Sequence, residues 1–211
     1  TIKNQYGRQV LALENDNAFL IGQGHTKNGQ FPFIDEFNIK TFKTKRLYQS
    51  AYKDKKESIF SIEDFKKGNV LVQIQSKSEY PNYYFRNIKK KNELTQITNF
   101  KNPFESIKNV HKEVIKYKRK DGVELSGTLY LPVGYDMKKK EKLPLLIWAY
   151  PEEYKDKNSA GQSSQNPNEF TFPNYGSFVY WVAKGYVVLD DASFPIIGEG
   201  STEPNDTFIT Q

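Results

Sequence analysis

Cysteine is absent from this chain, which excludes disulfides, thiolate nucleophiles and cysteine-rich zinc sites. The absence leaves the compartment open, because exported chains of many kinds also lack the residue. Long hydrophobic runs are missing too. The most apolar stretch, around Leu143 to Tyr150, is far shorter than the run of about 20 residues that crosses a bilayer as a helix, so no membrane span is expected. Histidine is scarce, with only His25 and His111. No G-x-S-x-G string occurs. The nearest, "GQSSQ" at Gly161 to Gln165, has glutamine where the second glycine belongs and lies in a polar stretch, whereas a nucleophile elbow needs a strand-to-helix turn. No H-E-x-x-H is present, and the short acidic pairs lack the alternating spacing of a calcium loop. The glycine-rich strings "GQGHTKNG" and "GEG" do not follow buried strands as phosphate or dinucleotide loops do. No metal and no cofactor are therefore expected. The opening "TIKNQYGRQV" has neither an initiating methionine nor the plan of a secretion signal, and the expectation is a segment of a longer chain.

What is present is ample for a packed core: 37% of residues are hydrophobic and 15% aromatic. The net charge of +6 is unevenly spread. Residues 1–108 hold 19 basic and 11 acidic side chains, hence +8, while residues 109–211 hold 12 and 14, hence −2. The lysines of the basic half cluster in turn-like groups (Lys53, Lys55, Lys56; Lys89, Lys90, Lys91) and not along one helical face. Solvated turns explain them better than a nucleic-acid partner.

The first half repeats itself. "AFLIGQG" is followed by "FIDEFNIK" and "KRLYQS", and later "NVLVQIQS" by "NYYFRNIK" and "NELTQITNF". Asn38-Ile39-Lys40 matches Asn87-Ile88-Lys89 at an offset of 49 residues. Short alternating strands at such a period are the mark of propeller blades. Two blades do not close a ring, so an incomplete propeller is expected over residues 1–108; a small antiparallel sheet domain with two similar halves fits the same pattern.

From His111 the grammar changes. "KEVIKYKRKDGVELSGTLYLPVGY" reads as two strands with a turn at Asp121-Gly122. Leu143 to Trp148 is a continuous apolar run suited to a strand covered on both faces. Tyr175 to Lys184 has helical spacing with Gly185 as its cap, and "YVVLDDAS" supplies a second buried strand. Strand, helix and strand predict the N-terminal part of an α/β domain over residues 109–211, with helices on both faces of its sheet. In the hydrolase version of that fold the chain order is serine, acid, histidine. His25 precedes this segment and His111 stands at the linker where it begins, ahead of any serine of that order, so both read as surface or turn residues and not as a catalytic base.

The ordered blocks "ELTQITNFKNP", "YKRKDGVELSGTLYLPVGY", "LPLLIWAYPEEYKDK" and "SFPIIGEGSTEPNDTF" resemble the prolyl oligopeptidase family of serine peptidases, most closely its glutamyl endopeptidase-like branch. The resemblance runs over essentially the whole chain. It implies a mixed fold, an all-β propeller followed by an α/β-hydrolase domain, and a peptide substrate. It implies that the catalytic serine, aspartate and histidine lie beyond Gln211, so that the remainder of its own polypeptide is a required partner and this segment alone is inactive. Members with so Lys- and Asn-rich a composition are expected to be exported or periplasmic. Alternatives on the same scaffold are an acylaminoacyl-peptidase, an esterase or a non-catalytic binding propeller.

By the same resemblance, Tyr150 matches the tyrosine whose hydroxyl forms half of the oxyanion hole. Read without it, Tyr150 is a strand-end aromatic with its hydroxyl in solvent. A phenol on a rigid strand can aim its O–H at the charge that develops on a scissile carbonyl oxygen. Where relatives continue with a glycine-rich turn, this chain has Pro151, Glu152 and Glu153. Glu199, Glu203 and Asp206 follow the strand that ends at Asp190 and Asp191, and carboxyl ends of such strands border ligand clefts. Asp206 also reads as a helix N-cap.

Overall fold

The computed structural model describes residues 1–139, 141–161 and 165–209. The chain divides into two compact units, Thr1–Lys101 and Asn102–Gln211, and is built mostly of β-strands.

The first unit is antiparallel throughout. Two short hairpins, β1 (Ile2–Lys3) with β2 (Gln9–Val10) and β4 (His25–Thr26) with β5 (Gly29–Gln30), flank β3 (Asn17–Gly22). β3 joins β6 (Phe33–Asn38) and β7 (Thr44–Gln49) in a three-stranded sheet of order β3-β6-β7. β8 (Lys56–Asp64), β9 (Asn69–Gln75), β10 (Asn82–Asn87) and β11 (Glu93–Gln96) form a four-stranded meander in chain order. Neither sheet closes on itself.

The sequence repeat is a repeat of hydrogen bonds. Asn38 pairs across the sheet with Asn17, and its Nδ2 donates to Asn17 Oδ1 at 2.8 Å; Asn87 does the same to Asn69 Oδ1 at 2.8 Å. Asn38 Oδ1 accepts from the N–H groups of Lys40 and Thr41, and Asn87 Oδ1 from those of Lys89 and Lys90. The next N–H in each copy, of Ile39 and Ile88, donates at 2.9 Å to the carbonyl of Asp16 and of Gly68. An asparagine is suited to this place because its amide can satisfy a turn with one end and a neighbouring strand with the other. Phe42 (φ +56°) and Lys91 (φ +50°), again 49 apart, take the left-handed backbone that closes each turn.

Ile34 and Tyr48 of the first sheet pack with Ile59, Val70, Val72 and Ile74 of the second to make the core of this unit. Each fully buried aliphatic side chain there contributes roughly 1.5–3 kcal/mol relative to exposure.

The second unit starts with a 3-10 turn at Glu105–Ile107, then β12 (His111–Lys118) and β13 (Glu124–Leu131) pair antiparallel. Their turn passes through Asp121 and Gly122, the glycine at φ +89° with its N–H donating to Arg119 O at 2.9 Å. Arg119 grips the Asp121 carboxylate through Nε and Nη2, which holds that carboxyl down at about 2. β14 (Leu145–Tyr154) and β15 (Val187–Ile197) complete a mixed sheet of order β12-β13-β15-β14, in which only the β14–β15 pair is parallel. Two single-turn helices, α1 (Lys157–Ala160) and α2 (Pro204–Thr207), lie after β14 and β15. Ile107, Tyr130, Val179, Val182 and Val188 form the larger buried cluster of this unit, and Val123, Ala160 and Ile197 a smaller one.

Three sequence expectations need correction. Within this segment β14 has one ladder partner, β15, among the described residues, and Leu145, Ile147, Trp148 and Tyr150 are exposed. The strand does not stop at Tyr150 but continues through Pro151, Glu152 and Glu153 to Tyr154, the proline falling where the strand is paired on one side only. The helix expected over Tyr175 to Lys184 is a 3-10 helix at Phe178–Lys184, closed by Gly185 at φ +86°. It is the only element of that span, and Val179 and Val182, three apart, bury together on its inner side. Finally, β15 does not end at Asp190 and Asp191 but runs on to Ile197, passing through a bulge.

Candidate active site

Alternation along β14 puts Leu146, Trp148, Tyr150, Glu152 and Tyr154 on one face. The near end of that face is filled: Leu146 packs on the core cluster and Trp148 stacks on Phe178 of the 3-10 helix with ring centroids 4.8 Å apart. The far end opens into a cleft of about 180 Å³. Tyr150, Glu152 and Tyr154 line it from β14, Asp191 and Ser193 from β15, and Ser126 from β13.

Tyr150 is 72% exposed, and its hydroxyl makes no hydrogen bond among the described residues. Its register partner on β15 is Ser193. Two residues on, Glu152 Oε2 accepts the hydroxyl of Tyr154 at 2.5 Å. That bond, more than burial, pushes the Tyr154 phenol up to about 12 and keeps it neutral beside the carboxylate. Tyr150 is thus the one free phenol donor of its strand face, set next to an acceptor that is already engaged.

The rim is shaped by a bulge. Ile147 pairs with Leu189 but Ala149 with Ala192, so β15 carries one extra residue opposite β14. Asp191 sits there at φ +50°, and Gln165 Nε2 donates both to its carbonyl oxygen at 3.1 Å and to Oδ2 at 2.7 Å. Asp190 is half-buried; burial raises its carboxyl above the usual range, with the Asp191 charge adding and the Asp191 N–H and Lys112 opposing. Lys112, itself buried, donates to Glu169 O at 2.7 Å and to Thr171 Oγ1 at 3.0 Å. This ties the segment after Gln165 to the sheet beside the cleft.

Glu199, Glu203 and Asp206 lie elsewhere. None lines this cleft among the described residues. Glu199 is exposed in a turn where its carbonyl accepts from Thr202 N at 3.1 Å. Glu203 pairs with Lys155 Nζ at 2.6 Å and is the N-cap of α2, while Asp206 Oδ2 accepts the Glu203 N–H at 3.1 Å. Asp206 is therefore a capping residue from the third helical position and not the N-cap itself. His25 is exposed on β4 and His111 stands 3.6 Å from Glu113 at the start of β12. Of "GQSSQ", residues 162–164 lie outside the described residues. No group of three or more histidines or acids placed to hold a metal occurs among the described residues, and no described helix is long and apolar enough to cross a membrane. The sequence reading names Glu152 only as a departure from the usual glycine-rich turn and does not bring Tyr154, Ser126, Gln165 or Ser193 to this cleft. The i, i+2, i+4 spacing from Tyr150 was signal enough for Glu152 and Tyr154.

The chain matches no protein-family model. It is 39% identical over 206 residues, 94% of its length, to a probable chloroplastic glutamyl endopeptidase of Oryza sativa, and 38% identical over 222 positions, 97% of its length, to that of Arabidopsis thaliana. Its fold is similar to oligopeptidase B of Trypanosoma brucei with covalently bound antipain (TM-score 0.52, 13% identity, 96% of this chain). It is similar also to oligopeptidase B of Leishmania major (TM-score 0.51, 9% identity, 89% of this chain). The chain belongs to the prolyl oligopeptidase family. It spans 22% and 23% of the length of the two plant relatives and 26% and 24% of the two oligopeptidase B chains.

Proposed function

We propose that this chain is part of a serine peptidase in which Tyr150 donates one of the two oxyanion hydrogen bonds. On this reading residues 1–108 are blades of a β-propeller, and residues 109–211 are the N-terminal portion of an α/β-hydrolase domain. The serine, aspartate and histidine come from the rest of the polypeptide. The repeat of hydrogen bonds between the two antiparallel sheets supports the blades, and the parallel β14–β15 crossover supports the hydrolase portion.

The observation that carries the proposal is the unengaged hydroxyl of Tyr150, held on a strand and open to a cleft. A carbonyl oxygen brought there gains a neutral donor that needs no reorganisation as negative charge develops. The second donor would be the backbone N–H that follows the serine. The serine attacks the scissile carbonyl, the amine leaves, and water releases the acyl group.

The plant relatives are named for glutamyl cleavage, and we take a peptide with glutamate at the scissile position as the substrate class. The described lining of the cleft has the carboxylates of Glu152 and Asp191 and no lysine or arginine. A cation that selects an acidic side chain would therefore come from outside this segment, with Glu152 and Asp191 disfavouring acidic groups on the near side.

The test is to treat the full-length protein with a fluorophosphonate probe and map the label by mass spectrometry. A label on a serine outside this segment, with hydrolysis of a glutamyl peptide that the label abolishes, supports the reading. A full-length protein that takes no label and hydrolyses no peptide would leave a binding protein on a peptidase scaffold.

A further inference from the structure

The bulge in β15 decides what lies opposite Tyr150. Continued without interruption from Ile147↔Leu189, the register would set Ala192 against Tyr150; the extra residue sets Ser193 there instead. A shift of one residue also turns every following side chain to the other face of the sheet. The bulge therefore determines which hydroxyl-bearing and carboxylate groups reach the cleft.

Three side chains hold the device. Asp191 occupies left-handed backbone, which is uncommon for a residue other than glycine, and Gln165 clasps both its carbonyl and its carboxylate. Beyond the bulge β15 parts from β13, because their ladder covers only Val188, Leu189 and Asp190. Ser193 Oγ takes over by accepting the N–H of Ser126 on β13 at 3.1 Å, and Arg119 Nη1 donates to Pro195 O at 2.7 Å. The second half of β15 is thus laddered to β14 through Ile197 but fastened to the rest of the sheet by side chains.

We propose that this fastened bulge positions the Tyr150 hydroxyl, with Asp191 and Ser193 as its positioning residues. The proposal rests on the reading of Tyr150 as an oxyanion donor. Neither residue touches the reacting carbonyl; they fix the backbone against which β14 is laddered from Ala149 to Tyr154. An oxyanion donor is sensitive to small displacements, since a misplacement of about 1 Å can cost about a hundredfold in rate.

The experiment uses full-length enzyme and a glutamyl peptide. Asp191→Ala removes the carboxylate half of the clasp and puts an alanine on left-handed backbone, and Ser193→Ala removes the acceptor for the Ser126 N–H. Each should lower kcat about tenfold with KM nearly unchanged. Asp191→Asn and Ser193→Thr keep an acceptor oxygen and should restore most of the loss. In a Tyr150→Phe background neither alanine variant should lower kcat further, because the donor they aim is gone. If Asp191→Ala does not fold, Asp191→Gly keeps the backbone conformation and removes only the carboxylate. Equal losses with and without the Tyr150 hydroxyl, or full turnover in both alanine variants while Tyr150→Phe is impaired, would overturn the positioning role alone. Full turnover in Tyr150→Phe would overturn the donor reading and the positioning role with it.

Discussion

Arg86 Nε meets Glu57 Oε1 at 2.8 Å inside the first unit, with 6% and 0% of the two side chains exposed. Tyr48 donates its hydroxyl to Glu57 Oε2 at 2.6 Å from the neighbouring sheet, and burial together with Glu57 pushes the Tyr48 phenol far up. Arg86 also donates to Asn92 O at 3.0 Å and Tyr52 Oη at 3.3 Å. One carboxylate therefore joins β7 of the first sheet to β8 and β10 of the second. Glu57→Gln leaves the guanidinium buried without its countercharge and should cost about 3–5 kcal/mol. Denaturant unfolding, with amide exchange to localise the loss to β7, β8 and β10, checks this. Replacing Glu57 and Arg86 together by leucine should recover part of the loss, because no lone charge then remains.

The two asparagine turns make a paired prediction. Asn38→Ala and Asn87→Ala each remove one strand-to-strand bond and the acceptor for two turn N–H groups. Each should cost about 1–2 kcal/mol, and the two costs should be similar because these three bonds are shared and each copy adds one more, Thr41 Oγ1 to Asn38 Oδ1 in the first and Asn87 Nδ2 to Lys67 O in the second. A loss at one site several times that at the other, in the same unfolding assay, would break the equivalence.

These turns were legible in sequence because their chemistry is local: an asparagine that closes a turn recurs with the turn. The Asp121-Gly122 hairpin was legible for the same reason. The bulge was not, because nothing in "LDDAS" marks Asp191 as left-handed; Gln165 and the sheet impose that conformation from a distance. Asp206 was read as a capping residue but assigned the wrong position, because Glu203 and Asp206, three apart, can each accept from the first turn. The rim of the cleft depends on that bulge, so the sequence offers Tyr150 through resemblance alone and is silent on the groups around it.

Alkaline pH provides a test of the second core. Tyr130 is buried, which pushes its phenol up to about 12, with the hydrogen bond to Thr171 opposing. A raised folded-state pKa means that stability is fully present below the ordinary tyrosine value of about 10 and falls as pH rises towards the folded-state value of about 12. Tyr130→Phe should remove this component of the alkaline decline while costing about 1 kcal/mol at neutral pH for the lost bond. Denaturant midpoints of both proteins across that window decide it, and parallel declines would sink the assignment.

The last prediction separates ground-state from transition-state contact at Tyr150. A hydroxyl that donates only to developing negative charge contributes little to binding a planar peptide carbonyl and much to binding a tetrahedral oxyanion. Tyr150→Phe in the full-length enzyme should lower kcat by about a hundredfold, roughly 3 kcal/mol, with KM nearly unchanged. A peptide aldehyde, which closes on the serine to a tetrahedral adduct, should lose affinity by a similar factor, whereas the product peptide should bind as before. Equal weakening of aldehyde and product would mean that Tyr150 only helps hold the peptide. An unchanged aldehyde affinity with reduced kcat would place the tyrosine in a step other than oxyanion stabilisation, because the adduct and the transition state share that oxygen.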